Sequence, residues 1–230
     1  MSYKEFRKDL RSSMFNNVVM LTGKENFLVH WAVNQLKKKY GGKEFQAQNV
    51  HEFDGAQADI DEVIGMARTP SMFPGHRVLI VRNYPWLFQK KGKEELKEFQ
   101  EGAGARLLEY AAGADHSEYA SMIIMTVDAQ YYKDSSPRNC GLTAYGKKLL
   151  QKSSGYEMNT LNRAELEGFI GKRVKAAGKQ MTRNQLNYLI DLSGYYNEES
   201  VYRLDDLEND LHKSSIPRRE SRLPTRKSRI

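Results

Sequence analysis

The chain has 230 residues, of which 40% are hydrophobic, and its formal net charge is +7. This length allows one sizeable α/β core and a smaller helical unit. No apolar run approaches the roughly 18 residues of a membrane helix, and the charged segment 1–10 differs from a signal peptide, so we expect a cytoplasmic protein without membrane contact. The single cysteine and the five histidines have no spacing that suits an internal disulfide or a metal, so no metal site and no cofactor are expected; they are Cys140, His30, His51, His76, His116 and His212.

The first part of the chain alternates between predicted strands and helices. Apolar runs predict five strands, the first of them around Val18–Leu21; their ranges are 17–22, 46–53, 76–82, 121–127 and 155–158. Apolar residues at helical spacing predict helices between them, over 1–13, 25–39, 59–68, 93–112 with a break at 102–104, and 143–153. This alternation predicts a three-layer α/β domain with a five-stranded parallel sheet over residues 1–158.

Only helices are predicted beyond residue 158, over 162–177, 182–193 and 198–213. Thr160 and Thr182 occupy the positions of N-caps. An apolar stripe would form the inner face of the first of these helices, made of Leu161, Leu166, Phe169, Ile170 and Val174. The pattern predicts a small helical domain over 159–213.

The positive charge is concentrated at the end of the chain. Residues 213–230 contain seven basic side chains and one acidic side chain, which accounts for +6 of the net charge of +7. A basic tail over 214–230 is therefore predicted, and its sparse apolar content predicts disorder. Such a tail could contact nucleic-acid phosphates without sequence preference.

The first strand is followed by Thr22-Gly23-Lys24-Glu25 and then a helix, which is the layout of a phosphate-binding loop. The residues do not fit this role. The loop is too short to wrap a phosphate, and Glu25 stands where a hydroxyl would hold magnesium. The third strand ends in Arg82 and Asn83, where an ATPase carries acidic residues. We therefore predict a degenerate loop over Thr22–Glu25 that does not bind nucleotide.

The segment Ser71-Met72-Phe73-Pro74-Gly75 joins the helix over 59–68 to the next strand, and we call it the apolar tip. Two prolines and a glycine bound Met72 and Phe73. Large apolar side chains at a turn indicate an anchor for the hydrophobic pocket of a partner protein. The alternative interpretation is that both side chains fold back onto the sheet as core.

The sequence is similar to the delta subunit of the bacterial DNA polymerase III clamp loader in four ordered segments: LTGKENFL at 21–28, FDG at 53–55, ARTPSMF at 67–73 and RVLIVRN at 77–83. A later set resembles the end of the family's lid domain, made of Ser193, Gly194, Leu204, Leu207, Glu208 and Leu211.

The resemblance implies an AAA+-like fold with a helical lid domain and no catalytic residues. It implies a subunit that is no enzyme by itself, within a holoenzyme that is a DNA-directed DNA polymerase of the nucleotidyltransferase class. It also implies that Ser71, Met72 and Phe73 bind the sliding clamp, the beta subunit, and open it for loading onto primed DNA without ATP hydrolysis. Further implied partners are the gamma or tau and delta-prime subunits, and primed DNA through the assembled loader. The collar domain of the family is expected to be absent.

Two alternative functions remain open from the sequence, a divergent nucleotide-binding ATPase and a DNA-binding protein that acts through the basic tail. The segment Pro137-Arg138-Asn139-Cys140 lacks the order of an arginine finger, so Arg138 is interpreted as a solvated loop charge.

Overall fold

A computed structural model of the chain describes residues 1–113, 121–131, 141–197 and 200–215. Within these ranges the polypeptide divides after Thr160 into two compact units, which begin at Met1 and at Leu161. Arg138, Cys140 and His116 lie outside the described residues, as does the basic segment from residue 216 onward.

The first unit contains five strands and seven α-helices in its described residues. The strands are β1 (Val18–Thr22), β2 (Val50–Asp54), β3 (Arg77–Arg82), β4 (Ser121–Val127) and β5 (Ser154–Glu157). The helices are α1 (Tyr3–Ser12), α2 (Asn26–Tyr40), α3 (Gln46–Asn49), α4 (Ile60–Ala67), α5 (Lys93–Glu101), α6 (Ala103–Ala112) and α7 (Ala144–Lys152), and a short 3-10 helix spans Pro85–Leu87.

All strand pairs are parallel, and the order in the sheet is β2-β3-β4-β1-β5. The central strands β1 and β4 are buried along their whole length, as expected for apolar strands covered on both faces. The observed fold confirms the predicted α/β architecture with a five-stranded parallel sheet.

Side chains alternate between the two faces of the sheet because the strand period is two residues. Val18 and Met20 pack in a core cluster with residues of α4, α6 and α7. Val19 and Leu21 are equally buried but lie outside that cluster, on the opposite face. An aromatic group of Phe6, Phe15, Trp31 and Tyr156 lies outside this cluster too, and it joins α1, α2 and β5.

The predicted strand over 46–53 is wrong in its first half. Residues 46–49 form one helical turn, in which the Phe45 carbonyl accepts the N–H groups of Gln48 and Asn49. Strand pairing begins only at Val50, opposite Val78 of β3. The predicted helix over 93–112 is interrupted as expected, between α5 and α6 at Gly102.

The second unit contains α8 (Arg163–Ala176), α9 (Arg183–Ser193) and α10 (Leu204–Ser215) in its described residues. The N-cap of α8 is Asn162 and not Thr160, because Asn162 forms a capping box with Glu165. Thr182 caps α9 as predicted. Helix α10 begins at Leu204, six residues after the predicted start at residue 198.

The apolar stripe predicted for the second unit is buried except at its last position. Leu161, Leu166, Phe169 and Ile170 are buried, whereas Val174 is only half-buried. No helix in the described part of the chain combines the length and the apolar character needed to cross a membrane.

Candidate protein-binding site

The apolar tip lies at the amino-terminal edge of the sheet, directly before β3. Met72 is 91% exposed, which is more than any other large hydrophobic residue in the described ranges, and Phe73 is 42% exposed. Neither side chain belongs to the core, so the alternative in which both fold back onto the sheet is wrong. The structure therefore presents the two apolar side chains that the sequence singled out.

Phe73 rests on a second aromatic side chain that the sequence analysis did not identify. Its ring stacks on Phe45, with centroids 5.7 Å apart and an interplanar angle of 26°. Phe45 precedes the helical turn α3 and is itself half-buried. The apolar surface around the tip thus includes residues from two separate loops.

The backbone leading into the tip is held by a side chain from β3. The guanidinium of Arg77 donates hydrogen bonds to the carbonyl oxygens of Met66 at 2.8 Å and Thr69 at 3.0 Å, and to that of Pro70 at 3.4 Å. These carbonyls lie at and beyond the end of α4, where a positive charge satisfies the free acceptors of a helix terminus. Arg77 consequently fixes the path of the chain between α4 and the tip.

The tip also packs closely against the loop that follows α2. Gly75 has a φ of +106° and Gly42 a φ of +74°, conformations that favour glycine. A Cβ atom on Gly42 would lie 2.8 Å from the Pro74 carbonyl oxygen. The two backbones therefore approach each other without an intervening side chain, and His76 adds a hydrogen bond from its N–H to the Tyr40 carbonyl at 2.8 Å.

The loop predicted to be a degenerate phosphate loop lies at the opposite, carboxyl-terminal edge of the same sheet. It follows β1, while the tip precedes β3, and the six residues of β3 separate the edges by roughly 20 Å. Thr22 to Glu25 and Ser71 to Phe73 thus form two separate sites.

The backbone of Met158, near the end of the first unit, forms hydrogen bonds with the phosphate loop. The N–H of Met158 donates to the Thr22 carbonyl at 2.6 Å, and its own carbonyl accepts the N–H of Glu25 at 2.9 Å. Gly23 has a φ of +138°, and a Cβ atom there would lie 2.4 Å from the Met158 oxygen. A phosphate loop needs such N–H groups for its anion, and here one of them is already bonded to protein.

One side chain of this loop differs from those of a phosphate-binding loop, in which Ser or Thr follows the lysine. Glu25 is fully buried at the start of α2. An ionised carboxylate in this position would repel phosphate oxygens. Lys24 is half-buried beside it.

The ends of β3 and β4 carry a polar pair near this loop, and the sequence analysis missed one member of it. Asn83 donates from its amide to Asp128 at 2.7 Å and accepts the Asp128 backbone N–H at 2.9 Å. His30 lies 3.6 Å from the other carboxylate oxygen. The His30 imidazole holds the pKa of Asp128 below its usual value, burial raises it, and the Asn83 amide lowers it. The position of Asp128, directly after a buried strand, is the sequence signal that could have identified it.

No group of three His, Cys, Asp or Glu side chains in the described ranges could hold a metal ion.

A family model matches the segment that contains both the phosphate loop and the apolar tip. Residues 20–104 match the family model described as DNA polymerase III, delta subunit. Over this segment the chain is similar to that family. The match contains the phosphate loop after β1, the apolar tip and the side chains that support the tip. No curated protein matched the sequence.

A solved structure has a similar fold. The chain is similar to the Bacillus subtilis DNA clamp loader delta protein, with a TM-score of 0.56 and 19% identity over 93% of this chain. It spans 57% of the length of that protein. At this identity the likeness concerns the fold.

Two further structures are less similar to this chain. A replication initiator DnaA bound to AMPPCP and single-stranded DNA has a TM-score of 0.48 and 15% identity, over 94% of this chain and 60% of that one. A HORMA:CdnC:Trip13 complex of E. coli MS115-1 has a TM-score of 0.47 and 11% identity, over 92% of this chain and 72% of that one.

Proposed function

We propose that this chain is a clamp-loader delta subunit that binds and opens the sliding clamp through Ser71, Met72 and Phe73, without hydrolysing ATP itself. The observation that carries this proposal is the 91% exposure of Met72 on a tip whose flanking backbone is fixed by hydrogen bonds. The tip lies within the segment that matches the delta-subunit family.

The tip has the properties of a protein-binding anchor. A fully buried Met or Phe side chain gains about 1.5–3 kcal/mol. Met72 can gain nearly all of this burial free energy on binding, because its side chain is almost fully exposed in the free chain. Phe73 can gain less, because it already contacts Phe45 and only 42% of it is still exposed. The two side chains together supply about 3 kcal/mol, which corresponds to about a hundredfold in affinity.

Clamp opening requires that the tip bind the open clamp more tightly than the closed clamp. A ligand shifts a two-state equilibrium only by its differential affinity for the two states. A tip held in one conformation can act this way, because the binding energy is not lost in ordering the loop. The proposed role therefore needs no chemical step in this subunit.

The proposal that this subunit does not hydrolyse ATP is supported by the filled phosphate loop. The Glu25 N–H is bonded to Met158, and the Glu25 side chain occupies the position of the metal-binding hydroxyl. Nucleotide hydrolysis in the assembly would then belong to other subunits. We propose the gamma or tau and delta-prime subunits as partners, primed DNA as the ligand of the assembled loader, residues 159–213 as a lid domain, and a cytoplasmic location.

Surface plasmon resonance against the immobilised beta clamp tests the proposal. The double variant Met72→Ala/Phe73→Ala should bind about a hundredfold more weakly than the unaltered chain. A donor–acceptor dye pair across the clamp's subunit interface would report opening, and the variant should no longer increase the distance between the dyes.

A matched control is Tyr188→Ala/Leu192→Ala on α9. These side chains are 69% and 70% exposed, so the control removes apolar surface of similar exposure from the second unit. The control should bind and open the clamp normally. Unchanged clamp binding by the Met72/Phe73 variant would exclude the tip as the binding site.

A further inference from the structure

The amide of Asn49 connects three segments around the apolar tip. Asn49 is fully buried, although it bonds to residues on either side of the most exposed large hydrophobic side chain of the described residues. Its amide nitrogen donates to the carbonyl oxygens of Gly41 at 3.2 Å and Pro74 at 2.9 Å. Its amide oxygen accepts the hydroxyl of Ser71 at 2.6 Å.

The partners of Asn49 determine the orientation of its amide. The Gly41 and Pro74 carbonyls can only accept, so they must face the nitrogen with its two N–H groups. The Ser71 hydroxyl accepts the Phe73 N–H at 3.1 Å, and its own proton remains to be donated to the amide oxygen. Each donor of this group thus has an acceptor, and the geometry allows one arrangement.

The anchored residues bracket the two apolar side chains. Ser71 precedes Met72, and Pro74 follows Phe73, so the amide of Asn49 holds both ends of the exposed pair. The third bond, to Gly41, fixes this group to the end of α2. A four-residue segment held at both ends by one buried side chain has few other conformations to adopt.

We propose that Asn49 is the positioning residue of the apolar tip, holding Met72 and Phe73 in the conformation that the partner protein recognises. This inference rests on the proposed function, and it adds a residue that does not touch the partner. Asn49 acts through Ser71 and Pro74, whereas Met72 and Phe73 act by contact.

A positioning role predicts a distinct kinetic signature. If the tip samples other conformations, the apparent dissociation constant rises by the inverse of the competent fraction. The association rate then falls with this fraction, while the dissociation rate of the formed complex changes little. Removal of a contact residue has the opposite signature, because lost contacts mainly increase the dissociation rate.

The test uses the full chain with Asn49→Ala, and with Ser71→Ala as a second variant, which removes the bond of the half-buried Ser71 hydroxyl to Asn49 and its bond from the Phe73 N–H. Tyr145→Phe is the matched control, because the buried Tyr145 hydroxyl donates to the Gly104 carbonyl at 2.9 Å in a different part of the unit. Clamp association and dissociation rates are measured by surface plasmon resonance, and ¹⁵N order parameters of Met72 and Phe73 are measured in the free protein.

Asn49→Ala should lower the association rate about tenfold with a nearly constant dissociation rate, as expected for a competent fraction near one tenth. The order parameters of Met72 and Phe73 should fall from about 0.85 to below about 0.6. Ser71→Ala should lower the order parameters of Met72 and Phe73 by less. Because these are measured in the free protein, they do not depend on a contact of Ser71 with the clamp, and they decide the question if Asn49→Ala does not fold. Tyr145→Phe should leave both quantities unchanged.

The outcomes separate this inference from the proposed function. Order parameters that stay high in both variants, or an effect of Asn49→Ala confined to the dissociation rate, overturn the positioning role while clamp binding stands. If the unaltered chain does not bind the clamp, the proposed function fails, and the order parameters still decide whether Asn49 holds the tip.

Discussion

Single substitutions of Met72 and Phe73 should have unequal effects on clamp binding. Met72 is 91% exposed in the free chain, so nearly its whole side chain is available for burial, and Met72→Ala should lose about 2 kcal/mol, or about thirtyfold in affinity. Phe73 is 42% exposed, so Phe73→Ala should lose about 1 kcal/mol, or about fivefold. Met72 is therefore expected to contribute more to clamp affinity than the larger Phe73.

The order of the two substitutions should be reversed for folding stability, which Phe73→Ala should lower more than Met72→Ala. Phe73 stacks on Phe45, and loss of this contact should lower the free energy of unfolding by about 0.5–1.5 kcal/mol. Met72 is nearly free of intramolecular packing, so Met72→Ala should leave stability within about 0.5 kcal/mol. Urea unfolding measures stability, and surface plasmon resonance with the beta clamp measures affinity. A larger affinity loss for Phe73→Ala than for Met72→Ala would refute the reasoning from exposure.

Three further predictions concern the carboxyl-terminal edge of the sheet. Gly23→Ala should lower the free energy of unfolding, measured by urea titration, by about 3 kcal/mol. The reason is that the substitution places a side chain at a positive φ, with its Cβ atom 2.4 Å from the Met158 oxygen. An unchanged free energy of unfolding would contradict the described loop. Calorimetric titration with Mg-ATP should give no saturable heat up to about 1 mM nucleotide, and saturation that disappears in Lys24→Ala would contradict the degenerate loop. The pKa of Asp128 is lowered, chiefly by His30, so its stabilising contribution is present above the unfolded value near 4 and is lost as pH falls through the lower folded pKa. The difference in unfolding free energy between the unaltered chain and Asp128→Asn should therefore decrease between about pH 5 and pH 2, and a difference that grows on acidification would contradict this sign.

Much of the fold was predictable because apolar runs and helix-ending glycines are local signals. The run Val18–Leu21 predicted β1 within one residue, and the range 121–127 predicted β4 as observed. The position of Met72 and Phe73 at an exposed turn followed from the flanking prolines and Gly75. These features depend on neighbours along the chain, which a sequence displays directly.

The missed features depend on contacts between distant segments. Asn49 was included in a predicted strand. Its hydrogen bonds to residues 41, 71 and 74 could not be predicted, because its neighbours in the sequence carry no signal of them. The stacking of Phe45 under Phe73 joins residues 28 positions apart and leaves no periodic trace. The N-cap of α8 was different, since Glu165 three residues after Asn162 was an available signal for the capping box.

The phosphate loop and the apolar tip lie at opposite ends of the parallel strands and share no residues. A substitution in the loop after β1 therefore alters no residue that supports the tip before β3. A change at the phosphate loop should therefore leave the conformation of the apolar tip unaltered. Mutational scans of the two edges should accordingly give additive effects, because more than about 10 Å separates them.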